Sequence, residues 1–94
     1  MHSKNKKPMT NAERAHVDQV RNLGCSVCDA EGPSEAHEID QGNWWLAVAL
    51  CPDCHRGSFN GLHGQRRMWL VKHMGENDAL GVTIQRLVEQ RAMA

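Results

Sequence analysis

Apolar positions recur at helical spacing near both ends of the chain and crowd together in its middle. Ala12, Ala15, Val17, Val20 and Leu23 form a modest stripe at helical spacing. Thr10 and Glu13 frame the start of that stripe as a capping box, with Thr10 as N-cap, and Gly24 is a natural stop. The predicted helix runs directly into Cys25 and is expected to pack against whatever the cysteines organise. Gly32-Pro33 signals a turn. Glu35 to Asp40 then reads as a short strand, Gln41-Gly42-Asn43 as a hairpin turn, and Trp44 to Leu50 as the returning strand. Strand alternation puts Trp44, Leu46, Val48 and Leu50 on one face and Trp45, Ala47, Ala49 and Cys51 on the other. Neither face is polar, so the strand is buried on both sides or packs one against a helix. Both tryptophans are read as core, with stacking on nucleobases as the alternative.

Pro52 suits the first turn of a helix opening at the second cysteine pair. Gly57 to Gly64, with three glycines and Asn60, reads as loop. Gln65 to Met74 carries Met68, Trp69, Val71 and Lys72 on a further predicted helix closed by Gly75. Asn77 is the expected cap of a last helix to about Arg91, with Leu80, Ile84, Leu87 and Val88 as its apolar positions. Gly81 allows a break before Thr83. Residues 1–9 read as a basic flexible arm ending at Pro8, and residues 10–94 as a single domain. The predicted class is small α+β.

At 94 residues, a hydrophobic core alone is marginal for such a domain. The four cysteines change that picture. Cys25-Ser-Val-Cys28 and Cys51-Pro-Asp-Cys54 are two C-x2-C knuckles separated by roughly twenty residues, the spacing of a tetrahedral structural zinc site. Two disulfides are the alternative. A bridge across C-x2-C is strained and belongs to redox folds, and no βαβ pattern surrounds either pair. Reduced thiolates, and a basic N-terminus with no apolar region after it, lead us to expect a cytoplasmic protein without a signal peptide. No apolar run approaches the eighteen or so residues of a membrane span, so no membrane partner is expected.

The 11 basic and 11 acidic residues balance, but their distribution is uneven. No Lys or Arg falls between Asn22 and His55, where Asp29, Glu31, Glu35, Glu38, Asp40 and Asp53 lie. No acid falls between Cys54 and Gly75, where Arg56, Arg66, Arg67 and Lys72 lie with three histidines. An acidic half with candidate metal donors beside a basic half suits a phosphodiester and its cation, although either half can be ordinary surface charge. A cleft between hairpin and helix would bring His37 and His55 together. Imidazoles so placed suit a divalent ion bridged to phosphate. His63, in the glycine-rich loop, is a third candidate ligand. His2, His16 and His73 have no such context and are read as solvated. Lys4, Lys6 and Lys7 offer added affinity for nucleic acid.

Four stretches carry a resemblance: Leu23-Gly-Cys-x2-Cys, Ser34-Glu-Ala-His-Glu-Ile, Leu50-Cys-Pro-Asp-Cys-His-Arg-Gly and Gly61-Leu-His-Gly. Together they resemble the zinc-stapled branch of the HNH endonucleases, and within it the phage-encoded, recombination-associated nucleases of the Ref type. The likeness covers Leu23 to Trp69. It implies a ββα-metal core stapled by zinc on Cys25, Cys28, Cys51 and Cys54, with flanking N-terminal and C-terminal helices. It implies metal-dependent hydrolysis of DNA with Mg2+ or another divalent ion, linked to phage recombination. His37, His55 and His63 become expected ligands, with Arg56, Arg66, Arg67 and Lys72 on the nucleic acid. In that family the first strand carries a ligand followed by a general-base histidine. Here His37 is followed by Glu38, so Glu38 is the base, or Glu38 binds metal beside His37, or a shifted register makes His37 the base and leaves Ala36 at the ligand position. A carboxylate becomes basic enough for that role in a dry site. The asparagine usually found shortly before the second knuckle is replaced by Leu46. A recombination protein and a second copy of the chain are the expected protein partners. The competing expectation is an inactive zinc module that binds nucleic acid or such a partner.

Overall fold

The computed structural model describes residues 7–93, so Lys4, Lys6, His2 and most of the expected arm lie outside the described residues. Helix α1 (Asn11–Arg21) begins as its sequence dictates. The Thr10 hydroxyl accepts from Glu13 N, and the Glu13 carboxylate accepts from Thr10 N. Strands β1 (Glu35–Glu38) and β2 (Ala47–Leu50) form an antiparallel hairpin pairing Glu35 with Leu50, Ala36 with Ala49, His37 with Val48 and Glu38 with Ala47.

Both strands are shorter than the sequence pattern predicts. Trp44–Leu46 winds into a 3-10 turn, with the Asn43 side chain accepting from Trp45 N. The turn leaves Trp44 half-buried and turns Trp45 outward at 48% exposure, so Trp45 is not core. All of β2 is buried, as the double apolar alternation requires. Val48 and Leu50 pack with Cys25, Cys54, Leu62 and Trp69. Ala47 and Ala49 pack with Val20, Leu23 and Leu87. Helix α1 therefore covers the sheet face away from the cysteines, a correction to the expectation that it packs on them.

Helix α2 (Pro52–Arg56) opens with Cys51 as N-cap and Pro52 at its first position. The next helix, α3 (Arg67–Val71), is half the predicted length. Arg66 and His73 adopt left-handed backbone angles, φ 58° and 55°, and bracket it on both sides. Its Trp69 is fully buried and donates its indole N–H to the Cys54 carbonyl at 3.0 Å. Helix α4 (Glu76–Ala92) is longer than predicted and runs unbroken through Gly81. Its cap is Gly75, whose N–H donates to the Asp78 carboxylate at 2.8 Å, so Asn77 lies inside the helix.

The buried stripe of α4 also differs from the predicted one. Ala79, Thr83 and Leu87 face inward, while Ile84 and Val88 are exposed. Thr83 explains the rotation. Its hydroxyl donates to the Ala79 carbonyl and accepts from Ala49 N, and the Ser26 hydroxyl then donates to it at 2.7 Å. One buried threonine thus ties α4 to the hairpin and to the first knuckle, and a polar residue at the centre of the stripe hides the stripe from an apolar count. No helix is long and apolar enough to cross a membrane among the described residues.

Candidate metal centre and histidine groove

The two knuckles meet at the hairpin. Ser26 N donates to the Ala49 carbonyl, which lays the first knuckle against β2, and β2 ends where the second begins. The four cysteine sulfurs lie within 4.8 Å of one another, and Cys28 and Cys51 Sγ are 3.6 Å apart. A regular tetrahedron with metal–sulfur bonds of about 2.3 Å has edges of about 3.8 Å, so the spacing fits one zinc-sized ion. None of the four is in a disulfide. Val27 N and Cys54 N donate to Cys25 and Cys51 Sγ at 3.5 and 3.4 Å, the N–H to sulfur bonds that favour thiolate.

Burial pushes the Cys54 thiol well above its usual range, and the neighbouring Cys25 adds to it; burial raises Cys51 as well. Burial acts on Cys25 in the same direction but is outweighed by backbone N–H donors, and its thiol is lowered. Four sulfurs crowded in a half-buried cluster are an unfavourable set of anions that a divalent cation neutralises. The cluster can hold a metal such as zinc.

On the same side of the hairpin a groove of about 470 Å3 is bordered by His37, Glu38, Gln41, His55, His63 and Glu76. β1 contributes His37, α2 contributes His55 as the residue after Cys54, and the loop before α3 contributes His63. The ring of His37 lies 5.1 Å from that of His55 and 6.2 Å from that of His63, both edge-on. Two carboxylates hold two of these rings, Glu35 from the acidic half and Glu76, which no motif marks. Glu76, at the start of α4, accepts from His37 Nε2 at 2.7 Å, and Glu35 accepts from His55 Nδ1 at 2.8 Å. An ionised carboxylate only accepts, so these bonds assign the proton to Nε2 of His37 and to Nδ1 of His55. The lone pairs then belong to Nδ1 of His37 and Nε2 of His55.

Arg56 points back at Glu35, with Nε at 3.0 Å and a second nitrogen at 2.5 Å. This guanidinium, followed by His55, holds the Glu35 carboxyl below its usual range. Arg56, itself exposed, is thus engaged in the site's own carboxylate, whereas the exposed Arg66, Arg67 and Lys72 form no ion pair among the described residues. Glu38 also borders the groove, but in the register it falls on the sheet face opposite His37, and its carboxylate accepts from Gly42 N at 2.8 Å.

Imidazole and carboxylate donors of this type suit a divalent ion. Their spacing is looser than that of the sulfurs: among the described residues, the cysteines are the one group of three or more with all donor atoms within 4.8 Å. His16 is not solvated as expected. Its ring lies 5.0 Å from that of Trp45, and its Nε2 is buried without a hydrogen-bond partner among the described residues. His73 is exposed. The signal for Glu76 was present in the sequence only as an acid in the first turn of a helix, which is ordinary there. Comparison with protein-family models, with curated proteins and with solved structures finds no match to this chain.

Proposed function

We propose that the chain is a metal-dependent endonuclease of the HNH kind, acting on DNA, with the hairpin and α2 as its ββα-metal core. One observation carries the reading: His37, His55 and His63 come from three separate segments and converge on one groove beside the cysteine cluster. A module needing only a structural ion has no use for that convergence. Carboxylate-to-imidazole bonds on two of the three rings support it, because such bonds fix the tautomer and orientation of histidines that bind metal or move protons.

A divalent ion held by His55 and His63 would polarise the phosphoryl oxygens and stabilise the leaving oxygen. His37 takes the proton from the attacking water at Nδ1, while Glu76 holds its Nε2–H and keeps the ring aimed. The regular register and the Gly42 bond favour this role for His37 over Glu38. Glu35, anchored by Arg56, holds the His55 proton on Nδ1 and leaves Nε2 as the donor for an ion.

Nicking of supercoiled plasmid in Mg2+, Mn2+ or Ni2+ tests the proposal. The wild-type chain is expected to convert plasmid to open circles, and His55→Ala to lower the rate by about 100-fold or more. Equal rates for the two proteins would overturn it. Tight DNA binding with no cleavage in any of the three ions would replace it by the inactive zinc module.

A further inference from the structure

The loop that carries His63 into the groove carries something else on its outer side. Phe59 is the only phenylalanine of the chain and is 64% exposed. An exposed aromatic on a slack loop would fold back onto apolar surface, but this loop is stiff. Gly61 N donates to the Gly57 carbonyl, Leu62 N to Cys54, Gln65 N to Ser58, Arg66 N to Gly61 and Arg67 N to Phe59, all at 2.8–3.1 Å. The strands of the loop pass so closely that a Cβ on Gly61 would sit 2.3 Å from the Gly57 carbonyl oxygen, and one on Gly64 2.5 Å from that of Ser58. Asn60 is tied to the Asp53 carboxylate at 2.8 Å, and Leu62 is buried in the cysteine-side core. Phe59 is therefore held outward by design of the backbone.

Its neighbours across the loop are cations. The Arg67 N to Phe59 carbonyl bond, 2.8 Å, joins the two residues directly, and Arg66 and Arg67 are both exposed. Arg66 reaches over the edge of Trp69, 6.0 Å from its ring centroid, which limits how far the guanidinium wanders. Among the described residues neither guanidinium is in an ion pair with a carboxylate. An exposed ring whose residue is joined through its backbone to one of two adjacent exposed arginines suits an unpaired nucleobase on the ring and its phosphates on the cations. A paired base inside a duplex has no free face to offer.

We infer that Phe59, Arg66 and Arg67 form a stacking platform for single-stranded nucleic acid, and that the strand runs from it past His63 into the histidine groove. The platform selects substrates with an unpaired nucleotide beside the phosphodiester in the groove, such as a single strand, a gap or a frayed junction. Its position relative to the groove rests on the nuclease reading; its affinity for single strands does not.

The test is anisotropy of a fluorescein-labelled dT oligonucleotide and of a blunt duplex, titrated with the zinc-loaded full chain without added Mg2+ or Mn2+. Tighter binding of the single strand is expected. Phe59→Ala should weaken it by about 5- to 150-fold while leaving duplex binding and the thermal midpoint nearly unchanged. Phe59→Trp should restore it. Arg66→Ala and Arg67→Ala should weaken both ligands and flatten the salt dependence. Equal affinity for both ligands, or no effect of Phe59→Ala, would overturn the platform. So would concentration-dependent self-association abolished by Phe59→Ala in place of oligonucleotide binding, which would make the ring a protein contact. The two readings fail separately. Plasmid nicking with an indifferent Phe59 removes only the platform, whereas Phe59-dependent single-strand binding with no nicking removes only the nuclease.

Discussion

Cys54 and His55 are neighbours in the chain and belong to opposite kinds of site. The cysteine cluster is closed: two of its sulfurs sit on fully buried residues, and all four lie within 4.8 Å of one another. The histidine groove is open, its rings are 5.1 and 6.2 Å apart, and each of two rings is held by a carboxylate from another element. A closed set of thiolates leaves no position for a substrate and contributes folding energy. An open set of oriented imidazoles leaves room for one and contributes little to the core. The first turn of α2 serves both, with one residue turned inward and the next outward.

The comparison breaks most visibly if the cysteine cluster is not what holds the fold. Cys54→Ser, or removal of the metal by a strong chelator, is expected to unfold the domain, because a structural zinc contributes on the order of 10 kcal/mol in small zinc modules. One zinc per chain by elemental analysis, lost together with the circular dichroism signal, is the expected result. A protein that stays folded without metal would remove the distinction between the two sites.

The groove is sharpened by its carboxylates. Glu76→Ala should leave the fold intact and lower plasmid nicking by about 10- to 100-fold, with divalent-ion affinity measured by calorimetry nearly unchanged, because Glu76 orients the base His37 and not an ion-holding ring. In the 15N spectrum His37 of the wild-type chain should show its proton on Nε2, and Glu76→Ala should release that preference. Glu38→Gln is expected to retain most of the activity, since the amide oxygen can still accept from Gly42 N. Abolished nicking in Glu38→Gln with His37→Gln still active would exchange the roles of the two residues.

The smallest effect lies away from both sites. Burial against Trp45, aided by the positive charge of Arg91, lowers His16 below its ordinary value of 6.5, despite a backbone bond to Trp45 that acts the other way. The unfolded chain therefore takes up a proton first as pH falls. The stabilisation is fully present above about 6.5 and is lost as pH falls from there through the folded value. The drop in thermal midpoint between pH 7.5 and 5.5 should shrink in His16→Gln. An equal drop in both proteins would show that other groups, the cysteines first, carry the acid sensitivity.

The sequence by itself determined what local rules decide. Thr10 and Glu13 specify the start of α1, Pro52 after Cys51 specifies the start of α2, and the C-x2-C spacing specifies which four sulfurs meet. The hydrophobic alternation of β2 correctly implies burial on both faces, because every residue there is apolar. That His37 and His55 share a cleft also follows from a hairpin leading directly into a helix. Only the tertiary structure decided the rest. Trp44–Leu46 leaves the strand pattern for a 3-10 turn because Asn43 captures Trp45 N, a local bond that periodicity does not register. α3 is bracketed by Arg66 and His73 in left-handed geometry, which is uncommon outside glycine and which the apolar pattern does not register. α4 survives Gly81 because Thr83, buried two residues later, is hydrogen-bonded on three sides. Glu76 joins the groove only because α4 folds back 39 residues from His37, and contacts of that range depend on the packing of every element between them.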